Sequence, residues 1–133
     1  MLYSEMTDKI ISAFYKVYNT LGYGFLEKVY ENALAFELKQ EGLKVFQQKN
    51  IKVYYQKQAV GDYFADIIVN ESVIMEIKAA EGLREEHKAQ LINYLKATDK
   101  EIGLLLNFGK KAEFKRVIFT NDRKEIEMQS PNP

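Results

Sequence analysis

Asp66 and the run Glu76-Ile77-Lys78 are the residues of this 133-residue chain best placed to do chemistry. They sit in apolar stretches, Phe64 to Val69 and Val73 to Ile77, that read as buried strands. Desolvating an unpaired charge is expensive, so two carboxylates and an ammonium in that company need a reason. Asn70-Glu71-Ser72, between the two runs, reads as a hairpin turn. As a three-residue loop it pairs Val69 with Val73, and the same register sets Asp66 opposite Glu76. Directly opposed side chains share a face, with Cβ atoms roughly 4.5–5.5 Å apart. Alternation adds Lys78 to the face of Glu76. Two like charges at that separation repel, and a divalent cation would resolve the conflict. A buried salt-bridge cluster without metal is the competing reading of the same three charges.

Composition narrows the choice of ion. The chain has no cysteine and a single histidine, which excludes a thiolate site and a multi-histidine centre within one chain. Any metal must be held by oxygen, which favours Mg²⁺ or Mn²⁺. With 19 basic and 19 acidic residues the net charge is zero, so no global field draws in nucleic acid. Apolar residues make up 47% of the chain, a globular composition. The amino terminus lacks a signal-peptide layout and no apolar run approaches membrane-spanning length, so a cytoplasmic protein with no membrane association is expected.

The elements that must position these residues are legible in outline. Ile10, Ile11, Phe14, Val17, Tyr18 and Leu21 recur at helical spacing, predicting a helix from Ser4 or Thr7 to Leu21, broken by Gly22-Tyr23-Gly24. A second helix is predicted from Leu26 to Glu41, stopped by Gly42 in a left-handed cap with Leu43 folding back. Strand patterns follow at Lys44–Gln48, at Ile51, Val53 and Tyr55 on alternate positions, at Tyr63–Val69 and at Val73–Ala79. A third helix is predicted from Arg84 to Ala97, then strands at Ile102–Phe108 and Phe114–Thr120. The strand after the third helix is the natural parallel crossover, giving an α/β fold with a central mixed sheet flanked by helices. The whole chain, 1–133, reads as one domain, with residues 128–133 a frayed tail.

Asp66, the ten-residue step to Glu76, and Glu76-Ile77-Lys78 together resemble the D…E-x-K core of the PD-(D/E)XK nuclease superfamily. Gly24-Phe25-Leu26-Glu27-Lys28-Val29-Tyr30 resembles the signature of a small family within it, the GxxExxY proteins. Gln90-Leu91-Ile92-Asn93-Tyr94-Leu95-Lys96 is similar to the glutamine-bearing helix after the E-x-K strand, and Gly103 to Gly109 is similar to the last core strand. The resemblance covers Thr7 to Phe119; Ala65 stands where the superfamily's name has proline.

The resemblance implies a restriction-endonuclease-like αβββαβ core and a nuclease, a hydrolase of phosphodiester bonds dependent on Mg²⁺ or Mn²⁺, with nucleic acid, DNA foremost, as substrate. It implies Asp66 and Glu76 as metal ligands, joined by the Ile77 carbonyl, and Lys78 as the group that orients water or steadies developing charge. Glu27 would face the carboxylate pair as a further ligand, direct or through water. Gln90 and Tyr94, one helical turn apart, would hold the lysine, the water or a phosphate. Tyr30 could join the same cluster, although a core aromatic is its simplest reading. Relatives of the fold often dimerise, which admits a homodimer. His87 reads as a rim residue rather than a general base. The rival class is a nucleic-acid-binding or assembly module that keeps the fold without turnover.

Overall fold

The computed structural model describes residues 4–125; the predicted frayed tail lies outside them. Helix α1 (Ser4–Leu21) buries Ile10, Phe14 and Val17 of the predicted stripe, together with Ala13, and half-buries Ile11, Tyr18 and Leu21. It ends where Gly22 takes a φ of 70°, with the Gly22 N–H on the Tyr18 carbonyl at 2.8 Å. Helix α2 (Glu27–Gln40) ends in the expected left-handed cap. Gly42 has a φ of 81°, its N–H donates to Lys39 O at 3.0 Å, and Leu43 N–H donates to Leu38 O at 3.2 Å. That pair of bonds is a Schellman motif.

The strands are β1 (Val45–Tyr55), β2 (Gln58–Val69), β3 (Val73–Lys78), β4 (Ile102–Phe108) and β5 (Ala112–Ile118), with helix α3 (Glu85–Lys96) between β3 and β4. They form one sheet in the order β1-β2-β3-β4-β5, in which only β3 and β4 run parallel. The crossover through α3 is the expected one. Helices α1 and α2 cover one face through Phe14, Tyr30, Leu34 and Leu38 against Ile67, Met75, Leu104 and Phe108. Helix α3 covers the other through Leu91, Tyr94 and Leu95 against Ile68, Ile74 and Leu105. The fold is a mixed five-strand sheet flanked by three helices, consistent with the restriction-endonuclease-like α/β expectation.

Two features depart from the predicted elements. The two predicted stretches at 44–48 and 51–55 merge into one continuous strand, β1, which begins at Val45, and β2 begins at Gln58, five residues before the predicted Tyr63. Gln56 and Lys57 join the two strands with φ of 48° and 67°, so the hairpin turns on two left-handed residues that are neither glycine nor asparagine. Midway along this hairpin the sheet changes faces. Gln47 pairs with Ile67 and Lys49 with Ala65, but Gln48 and Asp66 between them form no ladder pair. Gln48 has a φ of 54°, a conformation an L residue adopts at a cost of about 1–2 kcal/mol. Before this point Val45, Ile67 and Val69 pack toward α1 and α2; beyond it Ile51, Val53 and Ala65 pack toward α3. The outer part of the hairpin is thereby carried over the α3 side as an arm.

Candidate active site

The three-residue turn at Asn70-Glu71-Ser72 forms as expected, with Val69 opposite Val73, Ile68 opposite Ile74 and Ile67 opposite Met75. Ser72 N–H closes it on Val69 O at 2.9 Å. The ladder then stops, one pair short of Asp66 and Glu76. In its place each carboxylate holds the backbone of the opposite strand. Glu76 Oε2 accepts the Asp66 N–H at 2.9 Å, and Asp66 Oδ2 accepts the Ile77 N–H at 2.8 Å. The strands therefore part at the acidic pair, and the switch of face at Gln48 and Asp66 is what parts them. The N–H and C=O of one strand residue point to the same edge. Since the Ile77 N–H meets Asp66, the Ile77 carbonyl points into the same gap.

Burial decides the electrostatics here. Glu76 is 5% exposed. Desolvation, together with the Asp66 charge beside it, raises its carboxyl to about 8, against the lowering pull of the Asp66 N–H and of Lys78. Desolvation also raises Asp66, and Glu31 adds to that, while the Ile77 N–H, the Gln48 amide and Lys78 oppose it. Lys78 is half-buried and acts on both carboxylates through its charge, without a hydrogen bond or salt bridge to either among the described residues.

Gln90 and Tyr94 stand on α3, and Tyr94 packs in one buried cluster with Ala65 and Ile74, the strand residues near the acidic pair. The Gln90 amide donates to the Tyr94 hydroxyl at 2.5 Å, which leaves the tyrosine proton for an acceptor elsewhere. Tyr94 is raised by desolvation, with Glu76 and Asp66 adding to the effect, so its hydroxyl lies within their field. Glu27, expected to face the carboxylate pair, is exposed and accepts the Ala79 N–H at 3.2 Å, just past the end of β3. Tyr30 does not join the cluster. It is fully buried, stacks on Phe108 at 4.4 Å, donates to Gly22 O at 2.6 Å and accepts the Phe25 N–H at 3.2 Å. Its hydroxyl pins the Gly22–Phe25 turn that leads into Glu27. His87 Nδ1 accepts the Arg84 N–H at 3.1 Å, a capping role at the start of α3.

Sequence reasoning missed Glu31 and Gln48. Glu31 lies one turn beyond Glu27 on α2, is 4% exposed, and is the helix carboxylate whose charge reaches Asp66 and Glu76. Gln48 joins the two sides, its amide donating to Glu31 Oε1 at 3.0 Å and to Asp66 Oδ1 at 3.3 Å. Gln47 and Lys28 complete the donors around Glu31, at 2.8 and 3.3 Å. The one signal in the sequence was the loss of alternation between Phe46 and Ile51, in the middle of which stand two adjacent glutamines. On the far side, the buried Asn107 clamps the peptide groups of Ala80, accepting its N–H at 2.9 Å and donating to its carbonyl at 3.0 Å. This fixes the chain two residues after Lys78.

A hard divalent cation fits this donor set, though not as a ready-made cage. Among the described residues no three acidic or histidine side chains converge closely enough to hold a metal alone. The available donors are oxygen only: Asp66, Glu76 and the Ile77 carbonyl, completed by water as Mg²⁺ commonly requires. A carboxyl forced up to about 8 by burial and by a neighbouring anion is a group whose ionised form a cation would favour.

The sequence model of the PD-(D/E)XK nuclease superfamily matches residues 4–117. No curated protein matches the chain. Among solved structures, the crystal structure of SSO0001 is similar in fold, with a TM-score of 0.55 at 22% identity over 91% of this chain. The match takes in 61% of that protein, so this chain spans about three fifths of its length. No helix among the described residues is long and apolar enough to cross a membrane. The match from Ser4 through Val117 spans the acidic pair, Lys78 and α3 alike, and on that ground the chain belongs to the PD-(D/E)XK nuclease superfamily.

Proposed function

We propose that this domain is a metal-dependent nuclease of the GxxExxY type that hydrolyses phosphodiester bonds of nucleic acid, with DNA as the expected substrate. The observation that carries the reading is the parted strand pair. Glu76 holds the Asp66 N–H and Asp66 holds the Ile77 N–H across a desolvated gap, with Lys78 two residues beyond Glu76. Asp66, Glu76 and the Ile77 carbonyl would hold Mg²⁺ or Mn²⁺. When bound, such an ion lowers the pKa of water and polarises a phosphoryl oxygen.

The remaining work falls to the chain's own side chains. The Lys78 ammonium, without an ion pair among the described residues, orients the attacking water and stabilises charge as it develops on the phosphoryl oxygens. The Tyr94 hydroxyl accepts from Gln90 and donates its proton toward a water or phosphate oxygen. Glu27, held on the Ala79 N–H just beyond Lys78, acts through water. Glu31 and Gln48 orient Asp66 without touching substrate. A rigid carboxylate matters because misplacing a reacting group by about 1 Å costs on the order of 100-fold.

The test is cleavage of end-labelled single- and double-stranded nucleic acid with Mg²⁺ or Mn²⁺, beside Lys78→Ala. Cleavage that chelator abolishes, and that Lys78→Ala lowers by about 100-fold or more, is expected. A Lys78→Ala protein that cuts like the wild type overturns the mechanism.

A further inference from the structure

The hairpin arm and α3 enclose a groove of about 480 Å³. Val53 and Tyr63 line its arm side, and Gln90, Asn93, Tyr94 and Lys96 line its helix side. Tyr63 is 46% exposed and leans on Tyr94 at 5.6 Å between ring centroids, while Tyr94 itself is 4% exposed. Tyr63 is therefore the ring that offers a face to the groove. The Asn93 amide makes no protein hydrogen bond among the described residues, and Gln90 uses only its N–H₂ group. Glu86 also lines the groove, and its charge offsets that of Lys96. An aromatic platform facing amide groups, with no net charge, suits a flat neutral group that carries donors and acceptors at its rim.

We propose that this groove is a subsite for one unpaired nucleobase, stacked on Tyr63, and that the substrate reaches the acidic gap as a single strand. The proposal rests on the nuclease reading and adds the substrate class to it. Continuity carries the connection: Tyr94 walls the groove and belongs to the same buried cluster as Ala65, the neighbour of Asp66. On this proposal a base in the groove sets its own phosphate next to the gap.

The charge distribution argues in the same direction. Duplex binding draws on neutralisation of many phosphates by Lys and Arg. Here the formal net charge is zero, and the arm instead exposes Tyr55, Val60 and Phe64 as well as Tyr63, at 65%, 61% and 53% for the first three. Aromatic platforms on strands bind nucleic acid by taking bases that are out of the duplex stack, because only then is a ring face free.

The test is anisotropy of end-labelled oligomers of about twelve nucleotides, a length within single-strand site sizes, with the full chain in chelator so that nothing is cut. Single-stranded DNA, single-stranded RNA, duplex DNA and an abasic strand of equal length are compared. At least one single strand should bind tighter than duplex, and the DNA and RNA arms tell which sugar is preferred. Tyr63→Ala should weaken that strand roughly 5- to 150-fold, the range one stacked base supplies, and Tyr63→Phe should bind like the wild type. The abasic strand should lose the same factor on the wild type and nothing further on Tyr63→Ala. Duplex binding as tight as single strand, an abasic strand bound like the intact one, or no strand bound at all overturns the proposal. Because no cleavage is read, these outcomes leave the nuclease reading standing, and absence of cleavage leaves these outcomes standing.

Discussion

Replacing Glu76 with glutamine should make the metal-free protein more stable, and only as pH rises. Burial and the adjacent Asp66 raise the Glu76 carboxyl from 4.5 to about 8, so the folded state keeps a proton that the unfolded state gives up. Stability from this group is fully present below about pH 4.5 and is lost as pH climbs through about 8. At about 1.36 kcal/mol per pH unit, the wild type forfeits up to about 5 kcal/mol across that window. Glutamine forfeits none of it, since it carries no charge and retains a carbonyl to accept the Asp66 N–H. Urea unfolding in chelator from about pH 4 to about pH 9 reads the difference directly. The two proteins should converge near pH 4.5 and separate by several kcal/mol near pH 9, the variant being the more stable. A gap that does not change with pH, or a wild type more stable at the alkaline end, refutes the argument that a desolvated, repelled carboxyl sits at this fork.

Two further substitutions probe what surrounds the pair. Gln48→Gly keeps a backbone free to hold the φ of 54° and deletes the amide between Glu31 and Asp66. Cleavage should fall about 10- to 100-fold, with urea stability within about 2 kcal/mol of the wild type because backbone relief offsets loss of the amide to Glu31; an unaltered rate removes Gln48 from the positioning role. Gly109→Ala would set a Cβ 2.2 Å from the Ala80 carbonyl oxygen, a backbone atom with little room to move. It should cost about 1–3 kcal/mol in urea unfolding, and a neutral result would show that the segment after β3 is looser than the Asn107 clamp implies.

Much of the site's scaffold was legible because its signals are local. Asn70-Glu71-Ser72 between two apolar runs set the register that brings Asp66 to Glu76, and Gly42 with Leu43 marked the end of α2. Helix α3 between β3 and β4 announced the parallel crossover. What escaped lacked such signals. The Gln56-Lys57 turn uses left-handed residues without the glycine or asparagine that advertises a hairpin, so the first five of the 12 residues of β2 went unseen. The change of face depends on one glutamine in a left-handed conformation, which composition does not reveal. Glu31 on a helix reads as a solvated charge, and only the approach of Gln47 and Gln48 from β1 shows it to be buried. Tyr30 was placed on the correct helix, but its hydroxyl serves the Gly22–Phe25 turn rather than the carboxylates.

That Asp66 and Glu76 together hold the cation is the central claim, and calorimetric titration of Mn²⁺ tests it most directly. The wild type is measured beside Asp66→Asn and Glu76→Gln. A parallel series in the Lys78→Ala background includes a short oligonucleotide, so that substrate phosphate can complete the coordination without being cut. Saturable binding by the wild type and by Lys78→Ala, lost in both carboxylate variants, is the result expected. Binding indifferent to both substitutions, or no binding even with the oligonucleotide present, would contradict the account.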